Sequence, residues 1–152
     1  MKRLWLAVGC ALAIVMAGYP AVAAADMPDQ AQALSERAAA YIATVGEERA
    51  LADFTRQDGG FVDGELKVFC YSRLGIVVAH GENASLVGRN LLHLKDTDGR
   101  EPTALGIKTG FDTGRGWIDF KWPNPATKKI ERKSAYMIRT NDVVCGVGYY
   151  HK

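Results

Sequence analysis

Between Asp26 and Phe54 the apolar positions recur every three or four residues, with Leu34, Ala38, Tyr41, Ile42, Val45 and Ala52 on one stripe. That is the period of an α-helix with one buried face. Asp26 followed by Pro28 reads as its start, because proline in the first turn removes an N–H that has no intrahelical partner anyway. The spacing predicts one long amphipathic helix to about Phe54, loosened midway at Gly46. After the turn-rich RQDGGFVDGE (56–65) the period changes to two. LKVFCYS (66–72) and GIVVAHG (75–81), separated by Arg73 and Leu74, read as a hairpin. The stretch ASLVGRNLLHLKDTDGREPTALGIKTG (84–110) mixes short helical turns with glycine and proline. GRGWIDFKW (114–122), KSAYMIRT (133–140) and VVCGVGYY (143–150) are three further strands, the last two joined at Asn141 and Asp142.

One long helix, two strands, a helical insert and three strands predict an α+β fold. The expected architecture is a five-stranded antiparallel sheet with the N-terminal helix on one face and the insert on the other, leaving a cleft between insert and sheet. In GWIDFKW, Trp117, Asp119 and Lys121 share one face while Ile118, Phe120 and Trp122 share the other. Which of the two lines a pocket is open at this point. Pro123 and Pro125 are expected to end strand pairing, since neither donates a ladder hydrogen bond, leaving KKIER as a solvent-facing tip.

The first 25 residues stand apart. Lys2 and Arg3 precede an apolar run from Leu4 to Met16, and Ala21 to Ala25 supply small residues for cleavage, the pattern of a secretory signal peptide. Gly18, Tyr19 and Pro20 interrupt the run before it reaches the roughly 20 apolar residues of a membrane span. The expected division is therefore a signal peptide over 1–25 and a single domain over 26–152, placed in the periplasm or secreted. Removing Lys2 and Arg3 takes away no acidic residue, so the formal charge falls from +2 to neutral. A nucleic-acid footprint is absent at the level of the whole chain, and the basic KKIERK run is local.

Cys70 and Cys145 remain after cleavage. In an exported chain they are candidates for a disulfide, and two buried free thiols stay equally open. No CxxC or Cys/His spacing offers a structural metal site, and the glycines match no phosphate or dinucleotide fingerprint, so no cofactor is expected. DTDG at 96–99 resembles the opening of a calcium loop, but Ile107 stands where its closing acid belongs. His80, His93 and His151 sit in no nucleophile motif and no serine has a G-x-S-x-G context, which argues against an enzyme.

DGELKVFCYSRLGIVVAHGENASLVGRNLLHLKDTDG (63–99), GWIDFKWPNP (116–125) and KSAYMI (133–138) together resemble the single Cache domain of the second subtype. The resemblance covers essentially all of residues 26–152. It implies an extracytoplasmic PAS-like sensor fold, in which a long N-terminal helix backs a five-stranded antiparallel sheet. Such domains form the sensing part of chemoreceptors and histidine kinases, and several bind small organic acids in a pocket on the sheet. Since nothing follows Lys152 in the sequence, the resemblance points to a free-standing exported Cache protein that reports its ligand to a membrane sensor or transporter component. The alternative is a non-enzymatic interaction module with a vestigial pocket, forming a homodimer along the long helix or presenting Lys128 and Lys129 to an anionic partner.

The candidate ligand-binding residues follow from both lines of reasoning. Phe69, Tyr71 and His80 come from the first hairpin, Arg89 from the insert, Trp117, Lys121 and Trp122 from the third strand, and Lys133 and Tyr136 from the fourth. A cation and a phenol beside aromatic walls suit a small carboxylate: the ammonium offsets its charge, the hydroxyl orients it and the rings exclude water. The competing reading makes the aromatics plain core, His80 a structural histidine and Arg89 the cap of a turn.

Overall fold

The computed structural model of the protein describes residues 26–152; the expected signal peptide lies outside the described residues. Helix α1 spans Met27–Val45 and α2 spans Glu47–Thr55. Asp26 caps α1, its carboxylate accepting the Asp29 N–H at 3.1 Å, which satisfies one of the free donors of the first turn. The single long helix expected from the stripe is thus two helices. Gly46 takes φ 89° and ψ 157°, a conformation open to glycine because it has no Cβ. Its N–H donates to the Ile42 carbonyl and its carbonyl accepts from Ala50, so one residue closes the first helix and opens the second. Asp53 ties the two together: Arg49 Nε donates to Oδ2 at 2.7 Å and Tyr41 OH to the same oxygen at 2.9 Å. Those two bonds hold the Asp53 carboxyl below the usual carboxylate range.

The strands are β1 (Val62–Asp63), β2 (Leu66–Ser72), β3 (Val77–His80), β4 (Arg115–Asn124), β5 (Lys129–Thr140) and β6 (Val143–Tyr150). All pairings are antiparallel: β2 with β6, β6 with β5, β5 with β4, and β3 on the other side of β2. These make the expected five-stranded sheet, to which the two-residue β1 is added beside the start of β2. Pairing does not stop at Pro123, and it ends before Pro125. It runs on through Pro123↔Ile130 and Asn124↔Lys129, because β4 is the edge of the sheet, where a residue without an N–H is tolerated.

The insert consists of one 3-10 turn, Ala84–Leu86, and a full helix α3, Pro102–Thr113, longer and more regular than the short turns expected. Between them the DTDG loop seals the free edge of β4. The Asp96 carboxylate accepts the N–H groups of Asp98, Arg100 and Lys121 at 2.9, 2.9 and 3.0 Å, and Arg100 Nη1 donates to the Asp119 carbonyl at 3.1 Å. With one backbone donor and one carbonyl of the edge strand occupied, a second chain has fewer groups there to pair with.

Each face of the sheet carries its own core. Toward α1 and α2 pack Leu34, Ala38, Ile42 and Phe54 against Val68, Cys70, Cys145 and Val147. Toward α3 pack Phe69, Tyr71, Val77, Ile107, Ile118, Phe120, Met137 and Val144. Cys70 and Cys145 are register partners on β2 and β6 and form a disulfide, with Cα atoms 4.0 Å apart. Of the two arrangements open from the sequence, the structure holds the bonded one.

Candidate functional site

The period of two assigns every strand residue to a face, and register brings the residues of one face together. Phe69 lies opposite His80, Phe120 opposite Lys133, and Lys133 opposite Tyr150. With Tyr71, Trp122 and Pro102 at the start of α3, most of these residues wall a recess on the insert face with a free volume of about 10 Å³, scarcely room for one water. A wider cleft of about 520 Å³ is lined by His80, Glu82, Asn83, Leu86, Trp122, Pro123, Asn124, Pro125 and Lys128. His80 and Trp122 belong to both walls. The proline-rich stretch after Trp122 is therefore one side of a cleft.

Lys133 is the charge in the recess. Its side chain is 9% exposed and its stem lies over Gly148, where a Cβ would come within 2.8 Å of Lys133 Cε. The ammonium sits 4.5 Å from the Tyr150 ring centroid and 6.0 Å from that of Phe69. It donates to the Tyr150 hydroxyl only at 3.4 Å, and that hydroxyl itself donates to the Pro123 carbonyl at 2.8 Å. Glu82 Oε2 is 4.0 Å away, beyond hydrogen-bond reach. An ammonium has three donors, and among the described residues the Tyr150 hydroxyl is its one hydrogen-bond acceptor. Burial pushes the Lys133 pKa down, and Glu82 partly opposes that.

His80 is a neutral donor at this site. Its Nδ1 accepts the Asn83 N–H at 3.0 Å, which places the proton of the neutral ring on Nε2. Burial, then Lys133 and Lys67, lower its pKa to about 4. The ring stacks on Phe69 with centroids 6.1 Å apart. Tyr71 is buried, hydrogen-bonded to Thr103, and its phenol is pushed up to about 12 by burial. Burial, followed by Glu82 and Glu131, raises the Tyr150 phenol as well.

Five of the nine residues singled out from the sequence converge here: Phe69, Tyr71, His80, Trp122 and Lys133. The other four do not. Trp117 and Tyr136 face the helix side, paired across β4 and β5 with ring centroids 5.1 Å apart. Lys133 and Tyr136 are three residues apart on one strand, an odd number, so they point to opposite faces and cannot share a ligand. Lys121 Nζ donates to Asp98 in the edge-sealing loop at 2.8 Å. Arg89 is exposed, its backbone carbonyl accepting the Val77 N–H at 2.9 Å, and its side chain belongs to neither cavity wall.

The recess walls Pro102 and Phe120 were not singled out from the sequence, and neither were Tyr150 and Glu82 beside Lys133. Tyr150 had a signal: Gly146, Gly148 and Tyr150 alternate on one face, and small residues at every second position leave a groove for long side chains from the neighbouring strand. Glu82 had none, since it lies in the loop after β3. On the helix face Ser134 Oγ sits between Asp119 and His151 Nε2, the latter at 2.7 Å. A nucleophilic serine needs the histidine between itself and the acid, so this trio is a structural tie. Among the described residues no group of three or more metal-ligating side chains forms.

The chain belongs to the Cache domain family, whose model matches residues 30–151. Cache domains are sensor domains and not enzymes. Three solved structures share the fold. A methyl-accepting chemotaxis protein from Vibrio parahaemolyticus is 22% identical with a TM-score of 0.69, over 81% of this chain and 87% of that one. The periplasmic sensor domain of a chemotaxis protein is 22% identical with a TM-score of 0.63, over 82% and 90%. A Cache chemosensory domain described for carboxylic acid recognition is 17% identical with a TM-score of 0.63, over 82% and 88%. No curated protein matches the chain.

Proposed function

We propose that the protein is an exported ligand-binding Cache domain that holds a small organic acid by its carboxylate against Lys133, and that a membrane sensor or transporter component reads its occupancy. One observation carries this reading: a buried ammonium with one long hydrogen bond among the described residues, aimed into a recess walled by aromatic rings. Taking a charge out of water without full hydrogen bonding is unfavourable for folding alone, and a ligand carboxylate would complete its coordination with short, charge-assisted bonds. His80 Nε2–H is a second donor at the same wall. The first turn of α3, which brings Pro102 to the recess, has no side-chain cap, and the partial positive charge of a helix N-terminus favours an anion there.

The ligand body would lie in the cleft along Trp122 to Pro125, with its carboxylate entering the recess as Trp122 and His80 give way. Export is supported by the Cys70–Cys145 disulfide, a bond that persists in oxidising compartments, and by the signal-like pattern of residues 1–25. Two of the structural relatives point the same way, one a periplasmic sensor domain and one a Cache chemosensory domain described for carboxylic acid recognition. The small volume of the recess favours the second reading, an interaction module with a vestigial pocket. Thermal shifts of the purified protein against short-chain carboxylates and amino acids, with light scattering in parallel, separate the two. Stabilisation by RT ln(1 + [L]/Kd) supports the receptor; silence across the set together with a stable homodimer supports the module.

A further inference from the structure

We propose that this protein self-associates head to tail, the turn between β2 and β3 of one copy seating Leu74 in an acidic cleft at the junction of α1 and α2 of the next. Leu74 is 72% exposed, and its turn is tied down from two directions. Gly75 closes the turn with φ 82°, its N–H donating to the Ser72 carbonyl at 3.0 Å. From the insert, Asn90 Nδ2 donates to the Leu74 carbonyl at 3.1 Å and the Leu91 N–H to that of Gly75 at 2.9 Å. A large apolar side chain on a fixed, solvent-facing turn adds nothing to the core, and a fixed backbone loses little freedom when it docks. Beside it two guanidiniums share one ring: Arg73 Cζ lies 4.7 Å and Arg139 Cζ 4.2 Å from the centroid of Phe111. Neither arginine makes an ion pair among the described residues. Asp112, next to Phe111, is tied to Lys108, which leaves Asp142 as the one acid in the turn between β5 and β6. An arginine stacked on a ring keeps its N–H edge available to a carboxylate in a set orientation.

The complement is on the same molecule. A cleft of about 510 Å³ opens where α1 gives way to α2, lined by Val45, Gly46, Glu47, Glu48, Arg49 and Ala52. Val45 is 37% exposed and, with Ala52, supplies an apolar seat. Glu47 and Glu48 make no ion pair among the described residues, while Arg49 is committed to Asp53 at 2.7 Å. Turn and cleft therefore match in character and in sign: apolar against apolar, Arg73 and Arg139 against Glu47 and Glu48. Neither set of charges is paired within its own chain, and contact between copies would join them by charge-assisted hydrogen bonds. The formal charge over residues 26–152 is neutral, so no net repulsion holds copies apart. Because turn and cleft are different surfaces, the contact is heterologous. Each added copy leaves one of each free, and the assembly grows as a chain unless its rotation closes a ring. A dimer along α1 would instead stop at two.

Sedimentation equilibrium of the purified protein, from about 10 µM to about 1 mM, reads the association directly. The wild type is expected to gain average mass with concentration and to lose it as salt is raised, since exposed ion pairs are screened. Leu74→Glu, the pair Arg73→Glu and Arg139→Glu, and the pair Glu47→Lys and Glu48→Lys are each expected to weaken self-association about ten-fold or more, in variants that melt as the wild type does. Mixing the two charge-reversed proteins is expected to restore it, because the acidic turn of one then meets the basic cleft of the other while the remaining turn and cleft keep their wild-type signs. Association that survives all three changes, or a mixture no more associated than its components, overturns the proposal. So does a wild type that stays monomeric throughout, which would leave the arginine patch to an acidic protein of another sequence. Should the arginine variant not fold, Leu74→Glu and the α2 variant carry the same test, since they alter side chains outside both cores.

Discussion

The two faces of this sheet are made from alternate residues of the same strands and are built to different ends. On the helix face the polar groups are matched: Ser35 donates to the Tyr136 carbonyl at 2.9 Å, Ser134 lies between Asp119 and His151, and Cys70 is bonded to Cys145. On the insert face, among the described residues, a buried lysine has one long hydrogen bond, a histidine is held neutral and a glutamate has no hydrogen-bond partner. Matched groups stabilise the fold, whereas under-matched buried groups weigh on it and are explained by what they can bind. On the proposed reading, stability belongs to one face and recognition to the other.

The largest expected effect lies on the helix face. Replacing Cys70 and Cys145 together by alanine removes a cross-link spanning 75 residues, and the chain-entropy relation puts the loss at about 4.5 kcal/mol. Chemical denaturation should report that loss, while ligand affinity of the folded variant stays as in the wild type. A loss of affinity comparable to the loss of stability would merge the two faces.

Next comes His80. Its folded pKa of about 4 lies below the ordinary histidine value of 6.5, so between those values the unfolded chain takes up a proton that the native ring refuses. Stability therefore falls as pH drops from 6.5 toward 4, by up to about 3 kcal/mol. His80→Asn keeps an acceptor for the Asn83 N–H and cannot titrate. Denaturation curves across that window should flatten by close to one proton; an unchanged slope would show that His80 does not carry the pH dependence.

A smaller change of opposite sign is expected for Lys133→Met combined with Glu82→Gln, which removes both under-matched charges and leaves no orphan. Stability should hold or rise by about 1 to 2 kcal/mol. A clear drop would mean that the pair is part of the structural core. Smallest of all, Tyr136→Phe on the helix face should stay within about 0.5 kcal/mol in stability and leave every ligand response untouched, although the sequence placed this residue beside Lys133.

Much of the fold was legible because it rests on periods. The change from a helical stripe to alternation located the helices and strands, and the glycine and proline punctuation located the insert. The break at Gly46 was not legible as a break, since a glycine within a continuous apolar stripe is compatible with either one helix or two until its φ is known. Pro123 misled because the cost of a proline depends on whether its strand is internal or at an edge, which is a property of topology. At the site, alternation separates Lys133 from Tyr136 on spacing alone, yet the choice between faces required knowing that α3 covers one and α1 the other. Glu82 sits in a loop with no period to place it, and Arg89 was drawn in by its charge although its backbone is what serves the turn.

The central claim is that a ligand carboxylate completes the coordination of Lys133, and calorimetry on the tightest-binding carboxylate, wild type against Lys133→Met, tests it most directly. Removing the seat should weaken binding by about 100-fold or more, the scale of a lost buried charge-assisted contact, in a variant that still melts cooperatively. A Lys133→Met protein that binds the same compound with wild-type affinity would contradict the claim and move recognition off this face of the sheet.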